Sequence, residues 1–232
     1  QMADYLLAGT VTNEVNVPSV SEEEHKQLQP YIQLTTRLGK LLGQVIEPGF
    51  SKLNVTFEGH VSELNRKALM NAALEGVLSS SIGDVNAVNE GMLATERGID
   101  VSEVARDKSD HFNNLIRMEV EGKDGLQSVS GTVFDGVNPR LVNINGCEIE
   151  MAPAGRMLFI RNEDRPGMIA AMGTVFAKAN INVGDFRLGR QEDGAFAIAL
   201  ISIDSQPDES VIEELKALEG LCTVRYVELE TL

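Results

Sequence analysis

Met157-Leu158-Phe159-Ile160-Arg161-Asn162-Glu163-Asp164-Arg165-Pro166-Gly167 passes from an unbroken apolar run into a turn made of acid, base, proline and glycine. Residues 157–161 read as a strand, and Pro166-Gly167 opens a helix. That helix is predicted over 168–179, where Met168, Met172, Val175, Phe176 and Ala179 share one face. Strands follow at 182–189 and 195–203, then a helix at 209–218 carrying Val211, Ile212, Leu215 and Leu218, then a strand at 222–229. The order βαββαβ places both helices on one face of a four-stranded antiparallel sheet, the ferredoxin-like arrangement. Ala195-Phe196-Ala197-Ile198-Ala199-Leu200-Ile201 is apolar on both faces, so its second face is predicted to be covered by another domain or subunit.

Upstream of this unit the pattern is mixed α and β. Residues 2–8 read as the end of a helix stopped by Gly9, and Thr10 to Val17 as an extended connector. Ser21-Glu22-Glu23-Glu24 has the form of a capping box, and Pro30 suits a first helical position. Ile32, Leu34, Leu38, Leu41, Leu42 and Val45 then recur at threes and fours until Pro48-Gly49. Residues 53–61 alternate, with Leu53, Val55, Phe57 and Val61 on one side. Helices are predicted over 64–78 and 86–97. Four runs of strand character come next, at 99–104, 115–120, 129–134 and 141–149.

The chain has 232 residues, enough for two domains at the usual ~100–150 residues each. It holds 20 basic against 35 acidic residues, net −15, which repels a nucleic-acid backbone. No apolar run approaches the ~20 residues that span a bilayer, so no membrane anchor is expected. Cys147 and Cys222 are its two thiols, too few for a disulfide framework or a paired-cysteine metal site, and a reducing cytoplasm suits them. Gln1 stands where an initiator Met would, and residues 1–20 lack the order of a secretory signal, so a piece cut from a longer protein is expected.

The turn carries the chemistry. Pro166 and Gly167 start a helix whose unpaired N–H groups attract an anion such as an amino-acid carboxylate, and Asn162 and Asp164 can hold the ligand's ammonium and hydroxyl. A well-capped helix start with no ligand is the alternative on residue type alone. The same turn, followed by Asn180-Ile181-Asn182-Val183, resembles that of ACT domains. There the turn joins the first strand to the first helix, and the segment matched by Asn182 opens the second strand at a subunit interface. The resemblance implies effector contacts at Asn162, Asp164, Arg165, Pro166, Gly167, Met168 and Asn182, with L-serine the implied ligand. At the position of Asn162 that family often carries another residue type.

Gly131-Thr132-Val133-Phe134 and Asn138-Pro139-Arg140-Leu141-Val142-Asn143-Ile144-Asn145-Gly146 resemble the allosteric substrate binding (ASB) domain of long-form D-3-phosphoglycerate dehydrogenases. Asp4-Tyr5-Leu6-Leu7-Ala8-Gly9 with Val15-Asn16-Val17-Pro18 is similar to the stretch where those enzymes leave their catalytic body. The resemblance implies a remnant and connector at 1–17, a mixed α/β ASB domain at 18–154 and an ACT domain at 155–232. It also implies an anion-binding role, for substrate or phosphate, at Arg140, which the sequence places in a loop; an ordinary solvated arginine is the alternative.

Further expectations follow from that family: at least a homodimer, no catalysis by this chain alone, and NAD as cofactor of the whole enzyme. No Gly-x-Gly-x-x-Gly or P-loop lysine is present, and His25, His60 and His111 are too scattered for a metal site. Asn54-Val55-Thr56 matches a glycosylation acceptor but falls inside a strand. Two other assignments join the same domain types or chemistry: the regulatory subunit of an iron–sulfur L-serine dehydratase, and a stand-alone amino-acid sensor that binds a protein partner.

Overall fold

A computed structural model describes residues 22–47, 49–80, 90–123, 125–191 and 194–230. The predicted helix end at 2–8, the connector at 10–17, Ser21 of the capping box and residues 86–89 lie outside these. The described residues build two sheets. Helix α1 (Glu22–Val45) leads into β1 (Lys52–Gly59), a short 3-10 turn (His60–Glu63), α2 (Arg66–Ser79), α3 (Glu90–Glu96), β2 (Asp100–Arg106) and β3 (Asn114–Gly122). Then come β4 (Gly125–Phe134), β5 (Asn138–Ile144) and β6 (Cys147–Met151), completing a six-stranded sheet of order β2-β1-β3-β4-β5-β6. The β1–β2 pair is parallel, as a crossover through α2 and α3 demands, and the other neighbours are antiparallel.

The apolar stripe of α1 lies against β4 and β5, and α1 crosses α2 through glycines. A Cβ on Gly76 would stand 2.5 Å from the Thr36 carbonyl oxygen and 2.9 Å from Gly39 Cα, so only glycine admits this approach. Pro30 sits inside α1, not at its start. Leu28, two residues before Pro30, and Tyr31, directly after it, are both buried, so the apolar face already runs through the turn that holds Pro30. Their burial offsets the lost N–H bond that makes an interior proline unfavourable. The predicted strand at 141–149 is two strands. Asn145 and Gly146 take positive φ of 49° and 82°, closing a two-residue hairpin in which Ile144 faces Cys147.

The second unit comprises β7 (Gly155–Glu163), α4 (Met168–Lys178), β8 (Val183–Arg190), β9 (Phe196–Ile203), α5 (Glu209–Lys216) and β10 (Leu221–Leu229), with sheet order β10-β7-β9-β8. Leu158, Ile160, Ala199 and Ile201 point into α4 and α5, where they meet Met172, Phe176 and Leu215. Their alternates Met157, Phe159, Ile198 and Leu200 join the core beneath α1. The second face of β9 is thus covered by the first unit of the same chain. The closest approach is at Gly189, where a Cβ would fall 2.8 Å from both Cys147 Cβ and the Glu148 carbonyl oxygen.

Candidate effector site

The turn after β7 is shaped by its own backbone bonds. Glu163 N–H donates to Gly220 O at 2.8 Å, Asp164 N–H to Ala195 O at 3.1 Å and Arg165 N–H to Glu163 O at 3.0 Å. Gly167 caps α4 in the left-handed region, φ 93°, without any side-chain cap. The first turn of α4 therefore presents N–H groups that have no partner inside the helix. A cavity of about 590 Å³ opens in front of them, lined by Asn162, Asp164, Arg165, Pro166, Gly167 and Met168, and further by Ile169, Ala170, Met172, Leu188 and Arg190.

Two of its lining residues, Asn162 and Arg190, end one row across the sheet. Asn162 faces Ala197 on β9, and Ala197 faces Arg190 on β8. The small residue in the middle leaves room that a larger side chain would fill. Asn162 is 2% exposed; its Nδ2 donates to the Glu163 carbonyl at 2.6 Å, while its Oδ1 is buried without a partner. Asp164 holds Arg190 across the cavity, Oδ2 to Nε 3.1 Å, with Asp164 side chain 18% and Arg190 70% exposed. Opposite charges, an orphan acceptor and a helix N-terminus thus meet in one small volume.

The predicted residues separate into two groups. Asn162, Asp164, Arg165, Pro166, Gly167 and Met168 border one cavity. The guanidinium of Arg165 is turned to Glu219, with Nη1 3.1 Å from Oε1 and Nη2 donating to the Glu219 carbonyl, so its charge is already engaged. Asn182 does not line the cavity of its own chain; its Nδ2 donates to Asp204 Oδ2 at 2.7 Å. Arg190 is the site residue that sequence reasoning missed. Its signal was the alternation Phe186, Leu188, Arg190, which puts it on the helix side of β8.

Arg140 is on β5 and not in a loop, part-buried, with Nη1 donating to the Pro139 carbonyl at 3.0 Å. The Asn138–Ile144 segment pairs with both β4 and β6, which makes it a strand despite Pro139. The open face of the six-stranded sheet holds a larger cavity of about 810 Å³, which Arg140 does not line. Five carboxylates border it, Glu58, Asp110, Glu119, Glu148 and Glu150, against Arg106 and Arg117. His111 borders it too, whereas His25 is next to Gln29 and His60 next to Glu63. Among the described residues no group of three His, Cys, Asp or Glu side chains could hold a metal ion, and no helix is long and apolar enough to cross a membrane. Asn54 of the glycosylation-like triplet is committed within the sheet, donating to Glu119 Oε2 at 3.1 Å.

Comparison with known proteins agrees with both halves of this geometry. Residues 27–145 match the family model described as the D-3-phosphoglycerate dehydrogenase intervening domain, which is the ASB domain. This chain belongs to that family. Residues 156–220 match the ACT domain, so the intervening domain is followed by an ACT domain on the second sheet. Relatives named D-3-phosphoglycerate dehydrogenase include those of Bacillus subtilis, 28% identical over 94% of this chain, and Archaeoglobus fulgidus, 29% identical over 94%. That of Synechocystis is 28% identical over 99% of this chain. The chain spans 42% of the length of each of these three relatives.

Proposed function

We propose that this chain is the effector-sensing region of a D-3-phosphoglycerate dehydrogenase, and that its ACT domain takes L-serine, or a closely related small amino acid, as feedback effector. The observation that carries this reading is the buried amide oxygen of Asn162, an acceptor without a donor, beside the Asp164 carboxylate. Buried acceptors are nearly always satisfied, and the ammonium of an amino acid supplies the missing donor. The zwitterion then has one orientation. Its ammonium is held by Asn162 Oδ1 and Asp164, and its carboxylate meets the N–H groups of α4 and the guanidinium of Arg190.

Arg190 has a double part in this scheme. Without ligand it neutralises Asp164; with ligand it turns to the incoming carboxylate, and the ammonium replaces it. Asn182 lies outside the cavity of its own chain, and ACT domains generally associate in pairs. In the reading favoured here Asn182 of the partner subunit reaches the hydroxyl, so the effector is shared between two copies. An effector that binds one arrangement of subunits better than another shifts the equilibrium by that difference, typically ~1–3 kcal/mol. The catalytic domains, with NAD and 3-phosphoglycerate chemistry, belong to the proposal for the whole dehydrogenase. The three relatives above favour it over a dehydratase subunit or a stand-alone sensor. Weak binding of phosphate or substrate at Arg140 completes the reading; its guanidinium has no carboxylate partner among the described residues.

The test is calorimetric titration of the chain with L-serine, glycine and L-alanine, paired with sedimentation. Saturable binding of L-serine with tighter association of two copies is expected. Absence of heat with all three, or a monomer at every serine concentration, overturns the assignment.

A further inference from the structure

A second cleft lies at the seam between the intervening and ACT domains, about 750 Å³ in volume and separate from the effector cavity. Its floor is the far face of the ACT sheet, with Phe159, Arg161, Ile198, Thr223 and Arg225. Its walls are the end of α1 at Val45, Ile46 and Glu47, the β4 segment Leu126, Gln127 and Ser128, and Asn145 of the β5–β6 hairpin. In a chain of net charge −15 this cleft has the opposite balance: Arg161, Arg225 and Lys216 line it against one described carboxylate, Glu47. Glu47 is bonded to Arg225 and Lys216 to Glu213, outside the cleft. Arg161 has no carboxylate partner among the described residues. Its guanidinium carbon instead lies 3.9 Å from the Phe196 ring centroid, a contact that restrains the planar group while Arg161 lines the cleft.

We propose that this seam is a binding site for a small oxyanion, a carboxylate or phosphate, received by the fork of Arg161 beside the Arg225–Glu47 pair. A planar guanidinium already held against a ring loses little freedom on pairing, and its two parallel donors match the two oxygens of such a group. Gln127, Ser128 and Gln191 add neutral polar groups around the rim. Because Arg161 belongs to the ACT sheet while Gln127 and Ser128 belong to the intervening domain, the anion bonds to both domains at once. The inference is independent of the amino-acid site, since the two cavities have no lining residue in common.

The experiment uses the full chain carrying Arg140→Ala, so that any anion held at that position is removed. It is titrated with inorganic phosphate and, separately, with malonate at constant ionic strength, following amide shifts by NMR. One saturable event is expected, with the largest shifts at Ser128, Gln191 and Thr223. Adding Arg161→Gln weakens it by about ten-fold or more, the usual loss for a charge-assisted bond. Arg161→Lys, which keeps the charge and removes the fork, weakens it several-fold and guards against misfolding of the first variant. Saturation by phosphate alone or malonate alone identifies which oxyanion the site takes. No saturation by either, shifts centred elsewhere, or unchanged affinity in both Arg161 variants overturns the proposal.

Discussion

Replacing Asn162 by leucine should separate stability from binding. In the unliganded protein Asn162 leaves Oδ1 buried and unpaired, a condition that costs about 1–3 kcal/mol. The substitution removes that cost and forfeits the 2.6 Å bond from Nδ2 to the Glu163 carbonyl, worth about 0.5–1.5 kcal/mol. Leucine has the same branched skeleton as asparagine and is bulkier only by its methyl groups, for which the adjoining cavity gives space, and Met168, Met172 and Leu188 offer it apolar contacts. The sum predicts a stability between about 0.5 kcal/mol lower and about 2.5 kcal/mol higher, read by urea unfolding at constant m. Binding moves the other way. An ammonium-to-amide bond is charge-assisted, so its loss should raise the Kd for L-serine by about 10- to 100-fold in calorimetry. A variant clearly less stable than the parent, or one that binds serine as before, would refute the assignment of the orphan oxygen as a ligand contact.

Other perturbations test neighbouring parts of the argument. Arg190→Ala should change unliganded stability by no more than about 1 kcal/mol, because Arg190 is largely exposed, yet weaken serine binding several-fold; tighter binding would mean that Arg190 only plugs the cavity. Gly76→Ala must push α1 from α2, and a loss of about 1–3 kcal/mol in thermal or urea unfolding is expected, with no loss indicating that the helices cross more loosely. Lys40 pairs with Glu230 and holds its carboxyl below the usual range, first through their hydrogen bond and then through charge. A depressed folded pKa means that this contact is intact above the unfolded value of 4.5 and is lost as pH falls through the lower folded one. In Lys40→Met the NMR titration of Glu230 should therefore move upward, and an unmoved midpoint would reject the pairing.

The ACT unit was legible almost in full because local signals there agree with tertiary packing. The alternation in β7, the three-four spacing of α4 and α5, and the double-sided apolarity of β9 each predicted the burial found. Where reading failed, a long-range contact had outweighed a local rule. Pro30 signals a helix start, yet the helix begins at Glu22 and Leu28 and Tyr31, on either side of the proline, are buried. Arg140 follows a proline and reads as loop, yet β4 and β6 pair on either side of its strand. The hairpin at Asn145-Gly146, by contrast, was missed although Asn-Gly is itself a local signal for a two-residue turn. In the candidate site the turn residues could be named from type and order alone. Alternation with Phe186 and Leu188 puts Arg190 on the helix side of its strand, but nothing near it in sequence says that only a small Ala197 lies between it and Asn162.

The shared core beneath α1 bears on how a signal would leave this molecule. Met157, Phe159, Ile198 and Leu200 from one sheet, Leu34 and Leu38 from α1 and Val133 from the other sheet belong to a single apolar interior. Layers fused in this way resist the hinge motion usual between domains joined by a small polar contact. An effector arriving at the β7–α4 turn would move the two units together as a stiff arm, and the yielding joint must then be sought at the arm's ends or where one copy meets another.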